Sequence, residues 1–96
     1  MSAYVLSPAA QAGLEDIWDF GEAEWGADRA ELYLRALQRG IETIADDLRR
    51  GRACDDIRLG YFKFAVGSHL VFYRSDQGHL IVVRILHQRM DFERHL

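Results

Sequence analysis

Ninety-six residues with a net charge of −3, 49% hydrophobic and 28% charged, describe an ordinary globular domain with room for a single modest core. No apolar run is long enough to cross a bilayer, and no basic-then-apolar signal sequence opens the chain. The single Cys54 cannot close an internal disulfide and reads as a small, partly buried loop residue, so the expected setting is the cytoplasm, with no membrane partner.

The charge is unevenly spread. Residues 1–48 carry ten acidic and three basic side chains (−7), and residues 49–96 carry five and nine (+4). The basic residues are eleven Arg and one Lys, and Arg favours bidentate contacts to carboxylate or phosphate. On charge alone, a solvated face is favoured over a binding face.

Tyr4-Val5-Leu6 reads as a short first strand at a sheet edge. Ser7-Pro8 opens a helix, with Ser as N-cap and Pro where no amide is needed. Ala10, Leu14, Ile17 and Gly21 follow at helical spacing, with Trp18 and Trp25 beside them as expected core, and Gly26 is a natural stop. Asp28 with Glu31 fits a capping box for a second helix. Its stripe is Ala30, Leu34, Leu37, Ile41, Ile44 and Leu48, ending at Arg49-Arg50-Gly51. Two helices joined at a Gly form a hairpin whose stripes need a sheet to cover them.

From Ile57 the period becomes two. Ile57 to Phe64 is expected as one strand with a bulge at Gly60, and Ala65 to Ser68 as a turn. His69 to Arg74 is the next strand, and Ser75 to Gly78 the next turn. Ile81 to Asp91 begins as a β-branched strand that suits a central, two-sided burial and ends in a charged tail. The expected fold class is α+β, in the order β-α-α-β-β-β. A helical hairpin packs on an antiparallel sheet, followed by a short C-terminal segment.

Four His residues suggest metal first, but His69, His79, His87 and His95 have no ligand spacing, so no metal site and no cofactor is expected. There is no Gly-rich phosphate loop and no nucleophile elbow. On the strands, His69 and Tyr73 share a face, while Arg84 and His87 face oppositely. His87, Arg74 and Arg84, with His69, supply the residue types that RNA cleavage by a 2′-hydroxyl needs. Cross-strand packing and pairing with helix carboxylates explains the same residues and is the favoured reading.

Several segments resemble the ParE toxins of the RelE/ParE superfamily. They are Leu6-Ser7-Pro8-Ala9-Ala10 running into Leu14-Glu15-Asp16-Ile17-Trp18, then Trp25-Gly26, then Arg58-Leu59-Gly60-Tyr61. Gly67-Ser68-His69 with Phe72-Tyr73-Arg74, and Leu86-His87-Gln88-Arg89-Met90-Asp91, are the most specific. The resemblance implies the toxin of a type II toxin–antitoxin pair that inhibits DNA gyrase and is not an enzyme. Its implied partner is a ParD-like ribbon-helix-helix antitoxin, through which alone it would reach operator DNA. Expected antitoxin contacts are Trp18, Leu32, Tyr33, Tyr61 and Phe64, with an amphipathic helix lying in a groove. Expected gyrase contacts are Arg89, Asp91 and Arg94, in the charged tail. The alternatives are a RelE-like ribosome-dependent ribonuclease using His87, Arg74 and Arg84, or a non-toxic co-repressor that only binds its antitoxin. RelE-type enzymes carry more Lys on the sheet and often a terminal aromatic. Here Lys63 is the one lysine and the tail has no Tyr.

Overall fold

The computed structural model describes residues 3–90. β1 (Tyr4–Leu6) leads into α1 (Pro8–Trp25) and α2 (Ala27–Asp46), then a short 3-10 turn (Leu48–Arg50). β2 (Arg52–Ala53), β3 (Phe62–Val66), β4 (His69–Asp76) and β5 (His79–His87) follow. The five strands lie in the order β1-β5-β4-β3-β2. β5 therefore sits inside the sheet and β1 at its edge, as the sequence suggests. β1 runs parallel to β5, so the sheet is mixed rather than wholly antiparallel. The helical hairpin is the long connection that a parallel neighbour requires.

Ser7 joins β1 to α1 and ties both to β5. Its N–H donates to the Val82 carbonyl at 2.9 Å and its hydroxyl to the Val83 carbonyl at 2.6 Å. The same Oγ accepts from the Ala10 N–H at 3.0 Å, which completes the expected cap with Pro8 behind it. Beside this joint β5 has a bulge: Phe72 faces Arg84 but Tyr73 faces Val82, leaving Val83 unmatched. Val82 and Ile85, three residues apart, consequently both reach the helices.

Gly26 serves both helices. Its N–H closes α1 on the Glu22 carbonyl, and its carbonyl accepts from Ala30 to open α2. The capping box at Asp28 and Glu31 does not form, because α2 has already begun at Ala27 with no side-chain cap. α2 also ends earlier than expected. Asp47 is extended and its carboxylate accepts from the Arg49 N–H, which diverts the chain into the 3-10 turn.

The expected strand from Ile57 starts only at Phe62. The amides of Ile57 and Arg58 both donate to the Cys54 carbonyl, and Asp55 accepts from the Gly60 N–H. These local bonds satisfy the segment as a loop, and Gly60, at φ +82°, belongs to it rather than to a bulge. β3 then runs on through Val66, so the turn shrinks to Gly67-Ser68. The β4–β5 turn is Gln77-Gly78, both at positive φ, the two-residue hairpin geometry.

Helices cover one face of the sheet. Ala10, Ile41, Ile44 and Ala45 pack on Val71, Tyr73, Leu80, Val82 and Ile85, all buried. Tyr73 donates its hydroxyl to the Leu48 carbonyl at 2.8 Å and accepts from the Gly51 N–H at 2.9 Å, closing this end of the core. Burial, the main cause, raises its pKa. On the other face the 54–61 loop covers Phe72 and Leu86 with Cys54, Ile57 and Tyr61. Burial likewise pushes the Cys54 thiol up, which leaves it inert.

Candidate functional site: an aromatic groove ending in two imidazoles

β1 covers β5 only at Leu80, Ile81 and Val82. Beyond Val82, β5 lies against α1 instead. Gly13 makes that approach possible, since a Cβ there would lie 3.0 Å from the Ile85 carbonyl oxygen. Where α1 lifts away, a groove of about 520 Å³ opens, lined by α1, the start of α2 and the last residues of β5. Ile17, Phe20, Trp25, Ile85 and Met90 make its walls apolar, and Phe20 stays 62% exposed. With Trp25 and Met90, also exposed, Phe20 extends the apolar lining into a contiguous exposed patch.

The groove ends at Tyr33, His69 and His87. The Ser68 N–H donates to the Tyr33 hydroxyl at 2.9 Å, and the hydroxyl lies 2.6 Å from His69 Nδ1. With its oxygen already accepting, Tyr33 donates its proton to Nδ1, which places the His69 ring proton on Nε2. The Arg89 N–H donates to His87 Nδ1 at 3.1 Å, so that ring too carries its proton on Nε2. The imidazoles meet edge to face with centroids 5.3 Å apart. Phe20, Trp25, Tyr33, His69 and His87 form an unbroken chain of such contacts. Burial lowers the pKa of His69, and the neighbouring His87 lowers it further, so His69 is neutral at physiological pH.

Two Nε2–H groups beside apolar walls can donate to an oxyanion, and a neutral His69 can accept a proton. Among the described residues, no group of three His, Cys, Asp or Glu could hold a metal ion.

Of the residues singled out as antitoxin contacts, Tyr33 alone lines this groove. Trp18 is half-buried outside its lining, and Leu32 is 66% exposed on α2. Phe64 packs on the helix-side core. Tyr61 lies on the opposite sheet face under Arg58, whose guanidinium carbon is 5.7 Å from its ring centre. Trp25, expected in the core, is 43% exposed, because α1 ends on it and its ring covers Tyr33 from the solvent side. Arg89 is exposed, whereas Asp91 and Arg94 lie outside the described residues.

The nuclease set does not converge. His87 stands opposite His69, and the strand alternation puts Arg84, which faces Phe72, on the other side of the sheet. Arg74 alternates with Tyr73 and projects from that same far side. Among the described residues neither arginine makes an ion pair, so the expected pairing with helix carboxylates is absent. Phe20 was not singled out from the sequence. Its signal was an aromatic on the acidic face of α1, beside Asp19 and off the apolar stripe.

This is an α+β protein with a helical hairpin on one face of a five-stranded sheet, and known proteins share both the fold and the sequence. The model of the ParE toxin of type II toxin–antitoxin system, parDE, matches residues 4–92. Toxin ParE1 of Mycobacterium tuberculosis (strain H37Rv) is 57% identical over 96 residues, covering 99% of this chain and 98% of that protein. Toxin ParE1 of Caulobacter vibrioides is 43% identical, with 100% and 99% covered. A chain of the chromosomal ParDE system from P. aeruginosa superposes with a TM-score of 0.78 over 91% of this chain and 96% of that one. At 15% identity it speaks for the fold alone. The chain belongs to the ParE toxin family of type II toxin–antitoxin systems. No helix among the described residues is long and apolar enough to cross a membrane.

Proposed function

We propose that this ParE-family toxin inhibits DNA gyrase by protein contact and is neutralised by a ParD-like antitoxin bound in the aromatic groove. The observation that carries the second part is the open groove itself, with Phe20, Trp25 and Met90 exposed around it. An amphipathic segment that lays apolar side chains there hides a surface that no element among the described residues covers. Tyr33 is the contact on its floor, and Leu32 lies exposed on the adjoining helix. Operator DNA is reached through the antitoxin. For gyrase, the exposed Arg89, continuing into Asp91 and Arg94, is the proposed contact. Action by contact rather than catalysis is favoured by the separation of His87 from Arg74 and Arg84 across the sheet.

Purified protein added to gyrase and relaxed plasmid is expected to trap cleaved DNA, and Arg89→Ala with Arg94→Ala to weaken the trapping. Phe20→Ser is expected to keep trapping and lose rescue by the antitoxin. Untouched gyrase together with messenger RNA cleavage on ribosomes that His87→Ala abolishes would replace this reading with a ribonuclease.

A further inference from the structure

The two imidazoles are more polar than antitoxin docking in an apolar groove requires. Both Nδ1 atoms are occupied from within the protein, so the two Nε2–H groups are the donors left to a ligand. Among the described residues neither Nε2–H has a protein acceptor. We propose that His69 and His87 form a carboxylate anchor: an acidic side chain of the bound antitoxin segment, flanked by bulky apolar residues, sits on both imidazoles, and binding takes up a proton. The inference rests on the groove being the antitoxin site.

The choice of a carboxylate follows from charge. Arg89 adjoins His87, and the two imidazoles line this end of the groove, so it attracts an anion. The other ionisable groups facing it are Tyr33 from α2, already committed to His69, and Asp16 from α1. His69 is lowered by burial first and by His87 second. A carboxylate seats on the imidazole N–H groups, which donate to it, and not beside the like-charged Asp16, while its apolar neighbours fill the space between Phe20, Trp25 and Met90.

The proton balance sets a sign. In the free protein His69 binds a proton less readily than an ordinary imidazole. A carboxylate on Nε2–H favours the charged form; the added proton sits on His69 Nδ1, where the Tyr33 hydroxyl turns its own hydrogen away and accepts instead, so the bound state holds a proton that the free state lacks. Affinity is greatest at low pH and falls as pH rises through the bound-state value, by up to about tenfold per pH unit for one proton.

The test is calorimetry of the antitoxin from the same operon binding to the toxin between about pH 6 and 8, in buffers of differing ionisation heat. Uptake approaching one proton is expected. His69→Gln and His87→Gln, each of which keeps a donor near Nε2 but cannot titrate, should still bind and should reduce that uptake. Tight binding with no proton uptake overturns the anchor and leaves neutralisation standing. If Phe20→Ser binds the antitoxin as wild type does, the groove reading fails instead. The anchor is then judged by NMR titration of both imidazoles with indole-3-acetate. A rise in their pKa values supports it, and unchanged titration overturns it.

Discussion

Two tyrosines hold two corners of the same sheet, and they do it differently. Tyr73 is buried, and its hydroxyl joins two backbone groups, the Leu48 carbonyl and the Gly51 N–H. Tyr33 is half-buried, and its hydroxyl joins one backbone amide, Ser68, to one titratable side chain, His69. At the first corner every polar group ends on the main chain, which fixes geometry and nothing more. At the second the hydrogen bonds end on a ring that opens into the groove, so the same device sets a tautomer. A corner built for stability and one built for contact are thus told apart by where the last hydrogen bond goes.

Substitutions at the two corners should separate on this basis. The largest effect is expected beside Tyr73: Ile44→Ala removes a fully buried side chain from the helix–sheet core and should cost about 2–5 kcal/mol in urea unfolding. Tyr73→Phe should cost about 1–3 kcal/mol, because it leaves two backbone groups without a partner while keeping the stacked ring contact to Phe62. Tyr33→Phe should cost less, about 0.5–1.5 kcal/mol, because the freed Ser68 amide is exposed to water.

The smallest effect is a pH dependence. His69 is depressed below its ordinary value of 6.5 in the folded state, so the unfolded chain binds the proton more readily. Its contribution to stability is complete above pH 6.5 and is lost as pH falls through the lower folded value. The thermal midpoint of wild type should therefore drop more steeply below pH 6.5 than that of His69→Gln. Parallel curves would show that the ring gains nothing from being neutral.

Local signals carried most of the fold. Ser7-Pro8 predicts the start of α1, the long stripe predicts α2, and period two places His69 on the same face as Tyr73, where the structure has it beside Val71. What escaped depends on partners far away in the chain. The direction of β1 is decided by β5, 76 residues on, and no local pattern encodes it. The bulge at Val83 lies where Ser7, 76 residues earlier, bonds to β5. The site was half legible. His87 and Tyr33 were marked, but the bond from Tyr33 to His69 spans 36 residues, and Trp25 reads as core until the end of α1 is seen to leave it uncovered.

The pairing of Tyr4 with Leu80 also sets an order of events in time. Contacts between distant parts of a chain form after local ones, since closing the intervening loop costs entropy first. During synthesis the helical hairpin emerges before β5, which supplies the groove's floor and one of its imidazoles. A half-made chain on the ribosome therefore presents no complete contact surface. The surface by which this protein is proposed to be restrained is assembled only once β5 has followed the hairpin.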